Sequence, residues 1–283
     1  MFLVVRFKKV LAYMCIIISI LCIGVVGYSK KEEKIKVPVI MYHSILKSNP
    51  QSSRYIVSPE QLEKDLEYLK KNGFTAITVE DLIDYVYNDG KLPEKPIMLT
   101  FDDGHYNNYY YAYPLMKKYN MKMIISVVGE YSDTFTEADG SNPNYSYLTW
   151  DQIAELEKSE YVEIQNHTYS MHNINSSRQG CMIKSGESVE EYQDELYEDL
   201  SKLQKKVKQF SGTEPTAFTY PFGKVCDYSY DVIKKLGFKA SFSCSEGISE
   251  ITKDPECLYL LKRYIRPPYI ESEAYFDKIL QYK

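Results

Sequence analysis

The chain has 283 residues, 44% of them apolar and 26% charged, with a formal net charge of −5 and an isoelectric point near 5.6. An acidic balance with no basic stripe excludes nucleic acid as a partner, and the apolar share supplies a core for one α/β domain plus an appendage. Tyrosine is abundant, at 28 copies, which suits carbohydrate-facing surface and interior packing equally.

Residues 10–28 carry no charge and are long enough to cross a bilayer, with Arg6, Lys8 and Lys9 before them and Lys30 and Lys31 after. Residues 1–29 are expected to be an export segment retained as a membrane anchor, because Val25 and Gly27 make a poor cleavage site. A cleaved signal is the alternative. Lysines on both flanks leave the positive-inside rule undecided. A whole domain following the segment favours the outer face of the membrane. Residues 30–36 read as a charged linker, and residues 37–283 as a single domain. Outside the membrane segment, Cys181, Cys226, Cys244 and Cys257 show no C-x-x-C spacing, which argues against a structural zinc knuckle. One disulfide among them is allowed, with partners the sequence does not assign.

Within the domain the spacing predicts a first strand over 37–42, ending at His43. Ser58, Pro59 and Gln61 then read as N-cap, first-turn proline and capping-box glutamine of a helix that stops at Asn72-Gly73. A short strand over 74–78 and a helix over 80–87 follow. The apolar run 96–99 predicts a buried strand that ends in Thr100-Phe101-Asp102-Asp103-Gly104. Residues 109–119 read as helix, 122–128 as strand, 150–159 as helix, and 161–165 as a strand entering Asn166-His167. Residues 173–187 form the one long loop. A long helix over 188–210 is acidic early and basic late, as the macrodipole prefers. Strands over 216–220, 239–244 and 258–265, with helices over 230–235 and 273–281, complete the alternation. That alternation is the pattern of parallel β/α units.

Two adjacent carboxylates at a buried strand end cannot share one job, because consecutive strand residues point to opposite faces. One can bind a metal while its neighbour handles a proton. His167-Thr168-Tyr169-Ser170-Met171-His172 brings two of the chain's four histidines into one hexapeptide. Residues five apart do not share a helix face, so the imidazoles must converge from a turn. With Asp103 they make three protein ligands and an open position, the composition of a catalytic zinc site. A helix N-cap is the bland reading of Asp102-Asp103, and a glycosidase the rival chemical one.

The motifs TFDDG, HTYSMH and Phe218-Thr219-Tyr220-Pro221-Phe222-Gly223, in that order, resemble carbohydrate esterase family 4, the polysaccharide deacetylases. The five-residue histidine spacing resembles the poly-N-acetylglucosamine deacetylase branch. The resemblance implies a distorted (β/α)7-type barrel. It also implies that Asp102 is the general base, that Asp103, His167 and His172 hold the metal, and that the backbone N–H of Phe222 stabilises the oxyanion. Zinc is the metal it implies first, with cobalt, nickel or manganese as alternatives. Thr219 stands where many members carry an arginine that orients the base. Arg263 is the candidate to replace it by pairing with Asp102, against a solvated strand-end charge. No histidine follows His172, so His43 is the expected general acid by resemblance to that branch, with His105 ranked lower. Tyr220 and Trp150, the only tryptophan, are candidates to stack on a sugar, with a core role open for Trp150. The implied function is removal of N-acetyl groups from a cell-wall or extracellular polysaccharide, with acetate released. An O-acetyl esterase on a polymer such as xylan, or a decayed wall-binding module, is the alternative.

Overall fold

The structure is a computed structural model that describes residues 9–14, 34–47, 53–138, 140–175 and 178–280. The chain divides into two compact units, Met1–Lys34 and Ile35–Lys283. In the first, residues 9–14 form a short helical stretch, α1, with exposed side chains. Among the described residues no helix is long and apolar enough to cross a membrane. Of the expected anchor, residues 1–29, residues 9–14 are described and the rest lies outside the described residues.

The second unit is built on a parallel sheet. Strands β2 (Val39–Tyr42), β6 (Pro96–Phe101), β7 (Met123–Val127), β8 (Val162–Asn166), β9 (Ala217–Thr219), β10 (Ala240–Phe242) and β12 (Tyr264–Ile265) lie in the order β10-β9-β8-β7-β6-β2-β12, and β5 (Thr75–Ala76) adds to β6. Every residue of β2, β6 and β7 is buried. That is why these strands read as continuous apolar runs rather than alternating ones. The sheet curls until its two edges are nearly joined. Leu261 bridges Phe242 of β10, accepts from Ser243 and donates to Ser241, and three residues later the same segment pairs with β2. The expected strand over 258–265 is therefore broken into pieces, because Leu260 turns the chain at φ 59°. A short pair, β1 (Ile35–Val37) with β11 (Ser249–Ile251), takes up the last residues of the expected linker, and a second, β3 (Ser44–Ile45) with β4 (Ile56–Val57), follows β2.

The helices pack outside the sheet. In α2 (Pro59–Lys71) the Ser58 hydroxyl accepts from the Gln61 N–H, and Leu62, Leu66 and Leu69 are buried. The Gln61 side chain does not close a capping box. It reaches instead to the Ser272 hydroxyl, at 2.8 Å, at the start of the closing helix α9 (Ser272–Ile279). Residues 108–112 form a π-helical turn that runs into α4 (Tyr113–Tyr119), so the expected helix over 109–119 begins one turn wider than an α-helix. Helix α5 (Gly129–Glu137) carries too little apolar periodicity to be seen in the sequence. Helices α3 (Val79–Asn88), α6 (Trp150–Glu157), α7 (Val189–Ser211) and α8 (Ser229–Lys235) fall close to the expected spans. Parallel packing puts every strand's carboxyl end on one rim, and the residues after β2, β6, β8, β9 and β10 meet there.

Candidate active site

The Asp102-Asp103 pair is set by the end of β6. Asp102 still follows the ladder, its N–H donating to the Tyr42 carbonyl at 3.0 Å. Asp103 and Gly104 then both adopt positive φ, 72° and 73°. Aspartate tolerates that region, and at Gly104 a Cβ would press against Val127 at 3.1 Å, so glycine is required there. The two carboxylates consequently part company.

Asp102 goes to Arg263. The guanidinium donates to both oxygens, at 2.7 and 2.8 Å, and is itself anchored by Nε to the Ser243 carbonyl at 2.8 Å. Both side chains are buried. Burial alone would raise the Asp102 pKa, but the guanidinium outweighs it and holds the carboxyl below the usual range. Arg263 thus reaches Asp102 from the residue before β12, 161 residues away, and of the two readings offered for it the structure has the pairing.

Asp103 goes to the histidines. Its Oδ1 lies 3.4 Å from His167 Nε2 and 3.1 Å from His172 Nε2. Ligand atoms of all three residues lie within 4.8 Å of one another. His167 Nδ1 sits 2.7 Å from the Thr219 carbonyl. A carbonyl only accepts, so Nδ1 carries the proton and Nε2 keeps its lone pair for an ion. A carboxylate and two imidazoles, that of His167 in a fixed tautomer, are a donor set that suits a divalent cation with positions left open. Burial pushes the Asp103 pKa up, yet the imidazoles of His105, His167 and His172 gathered around it hold it well below the usual value. His105 approaches the other oxygen, with Nε2 3.4 Å from Oδ2 and its ring stacked on Tyr147.

His167 follows β8 directly, and Thr168 then turns the chain at φ 77°. A β-branched residue there is strained, and such strain persists only where the surroundings hold it. The turn brings the two imidazole rings to 4.8 Å between centroids.

His43, after β2, places Nε2 3.9 Å from Asp102 Oδ2 and packs edge-on against Tyr55. Its Nδ1 is buried without a hydrogen-bond partner. Burial pulls its pKa below the ordinary value, although Asp102 and Asp103 pull the other way. Phe222 occupies a turn at φ 57°, with its ring 4.6 Å from that of His172. A cavity of about 910 Å³ is lined by His43, Asp102, Asp103, His167, His172 and Phe222 together with Arg263.

Tyr220 and Trp150 are not on that cavity. Tyr220 is buried, its hydroxyl 2.6 Å from Ser229 Oγ and its ring against Phe218. Trp150 is buried too, donating from Nε1 to Asp133 at 2.7 Å and stacked on Phe210. Both are core residues, and the expectation that they meet a sugar is corrected. The aromatic residues that do line the cavity are Tyr55, Tyr145, Tyr147 and Phe222. Tyr145 and Tyr147 sit in an Asn- and Pro-containing loop, the one sequence signal that could have marked them. The four described cysteines are free thiols, so no disulfide joins them in this structure.

A donor set that could hold a divalent cation, at the carboxyl ends of parallel strands with a second, unligated carboxylate beside it, suits hydrolytic chemistry. Residues 89–241 match the polysaccharide deacetylase family, and the chain belongs to that family. It is similar to the poly-beta-1,6-N-acetyl-D-glucosamine N-deacetylase of Staphylococcus aureus (strain MRSA252), 29% identical over 204 residues, which cover 70% of this chain and 64% of the relative. The enzyme of that name from Escherichia coli (strain K12) is 22% identical over 76% of this chain and 34% of its own. The chain therefore spans less than two thirds of the length of these curated relatives. Among solved structures, a de-N-acetylase from Aggregatibacter actinomycetemcomitans superposes with a TM-score of 0.70 at 28% identity, covering 84% of this chain and 96% of that one. The Streptococcus pyogenes deacetylase PplD, solved in complex with acetate, shares the fold, with a TM-score of 0.69 at 22% identity over 87% of this chain and 99% of that one.

Proposed function

We propose that this chain is a metal-dependent N-deacetylase that releases acetate from the amino sugars of an extracellular or cell-wall polysaccharide. One observation carries the reading. Asp103, His167 and His172 converge on a common point while the adjacent Asp102 is held off it, ionised, by Arg263. The names of the relatives support an N-acetylglucosamine polymer as substrate. The curled sheet is read as the distorted (β/α)7 barrel, and residues 1–29 as the anchor that presents the domain on the outer face of the membrane.

Asp103, His167 and His172 would hold the ion, zinc first. When bound, such an ion supplies Lewis acidity to the amide carbonyl and to the attacking water. Asp102, deprotonated and oriented by the Arg263 fork, takes the proton from that water. His43 rests neutral because it is buried, so it acts as an acid only after a proton reaches it from Asp102, 3.9 Å away. It then protonates the departing amine. The Phe222 N–H donates to the oxyanion of the tetrahedral species.

Acetate release from N-acetylated oligosaccharides and from acetylxylan, with and without added zinc or cobalt, tests the reading. Release from the amide substrates alone is the expected result, and release confined to the ester would replace this function with an esterase. Asp103→Ala and His167→Ala should each abolish both metal retention and acetate release. Full activity in either variant overturns the assignment.

A further inference from the structure

We infer that Asp199, on the distant helix α7, is a positioning residue that holds the turn bearing the two imidazoles in its metal-competent shape. The inference rests on the reading of Asp103, His167 and His172 as a metal site. Left extended, the five residue steps from His167 to His172 would separate them by roughly 16 Å. Their rings lie 4.8 Å apart instead. Something must hold the chain in that fold, because Thr168 sits at a positive φ that a β-branched side chain resists.

The backbone groups of residues 168–170 can be accounted for one by one, with the Ser170 carbonyl accepting from Asn173 Nδ2 at 3.1 Å. The Thr168 N–H donates to Asn166 Oδ1 at 2.9 Å. The Thr168 and Tyr169 carbonyls accept from the Gly129 and Glu130 N–H groups at the start of α5. That leaves the N–H groups of Tyr169 and Ser170, and Asp199 takes both, at 2.7 and 2.8 Å, adding the Ser170 hydroxyl at 2.9 Å. Thr168 Oγ1 is buried and makes no hydrogen bond, so the turn is held through its backbone and not through the strained side chain. Asn166 and α5 adjoin the turn in sequence or in the sheet. Asp199 brings the turn's backbone two hydrogen bonds from across the 173–187 loop, where Lys202 of the same helix also lies over the Tyr169 ring. It also interrupts the apolar row Tyr192, Leu196, Leu200, Leu203 and Val207, all buried on the same helix. A carboxylate in such a row costs desolvation, and here three donors offset part of it.

A purely structural stitch between α7 and the turn would lower stability without touching the metal. The full-length protein should be compared as wild type, Asp199→Ala, Asp199→Asn and Ser170→Ala. Arg266→Met serves as a variant destabilised elsewhere. Co²⁺ affinity is measured by chelator competition on the folded fraction, together with the visible spectrum of the bound ion. Asp199→Ala should bind Co²⁺ about 10- to 100-fold more weakly and shift the absorption band, the range seen when groups that orient metal ligands are removed. Asp199→Asn keeps one acceptor oxygen and should fall in between. Ser170→Ala removes one bond of three and should change affinity by about threefold or less. If Asp199→Ala misfolds, the other two variants still decide the matter. Arg266→Met should keep wild-type affinity. Unchanged affinity and spectrum in both Asp199→Asn and Ser170→Ala overturn the inference, as does an equal loss in Arg266→Met. A wild-type protein that takes up no Co²⁺ overturns the metal reading and this inference with it.

Discussion

Arg263 and Arg266 stand three residues apart, and each grips a buried aspartate with two nitrogens, yet the two pairs do different things. Arg266 meets Asp65 through Nε and Nη2, both at 2.8 Å, while the Tyr42 hydroxyl donates to the same carboxylate at 2.8 Å and Tyr275 lies under the guanidinium. Neither side chain has any exposure, and neither borders the cavity. Every strong site on that carboxylate is taken, and its effect is to fasten α2 to the end of the last strand. Arg263 and Asp102 are equally well matched, but they line the cavity, with His43 at 3.9 Å and the histidine-bound Asp103 next in sequence. A buried ion pair is thus no sign of function. What distinguishes the second pair is a carboxylate that is charged, oriented and still open on one side.

That division predicts opposite outcomes for the same substitution. Arg266→Met leaves an unpaired charge in the core and should cost about 3–5 kcal/mol of stability. The specific activity of the folded fraction should be unchanged. Denaturant titration and a kinetic assay check both halves. Joining it to Asp65→Leu removes the stranded charge and should restore most of the loss, since apolar replacements of buried pairs are often neutral. Arg263→Met should reverse the pattern. It lowers kcat about a hundredfold, at the lower end of what general base catalysis supplies. It should also move the acid limb of kcat/KM upward, because Asp102 loses the guanidinium that lowers its pKa and keeps the burial that raises it. If Arg266→Met proved as damaging to turnover as Arg263→Met, the two pairs would not differ in kind.

The parts of this arrangement that were legible in the sequence are the ones encoded locally. Asp102-Asp103-Gly104 and the histidine hexapeptide each sit at the end of an apolar run, so strand, turn and ligand types can be read within a dozen residues. The partners that orient them come from far along the chain. Arg263 could be matched to Asp102 only as one of two options, because nothing near it in sequence says whether its strand closes the sheet. Asp199 was hidden inside a helix whose charge gradient already explained its acids. Tyr220 was misplaced because it adjoins a motif. Phe222 lines the cavity, while two residues earlier the Tyr220 ring goes into the core. Trp150 opens α6 and is used up against Asp133 and Phe210. The cavity's aromatic lining comes from loops, whose course depends on packing that no local pattern records.

A third carboxylate sharpens the comparison by having no arginine at all. Glu163, near the start of β8, keeps some solvent exposure, but its carboxyl is enclosed against the beginning of α3, where it accepts from the Val79 and Glu80 N–H groups at 3.2 Å each. Burial raises its pKa to about 7 even though those donors pull it down. An acid whose pKa rises on folding is bound to a proton more firmly in the native state, so its ionisation lowers stability as pH climbs from the unfolded value, about 4.3, to the folded one. The wild type should lose roughly 3 kcal/mol over that interval through this group. Glu163→Gln cannot ionise and should escape the loss. The stability difference between variant and wild type, from urea titrations at pH 5, 6, 7 and 8, should therefore move in the variant's favour and level off above pH 7. A difference that stays flat would mean that the helix N–H groups keep Glu163 ionised throughout. A helix terminus would then be doing for Glu163 what the guanidinium does for Asp102, and the contrast between a paired and an unpaired buried carboxylate would fail.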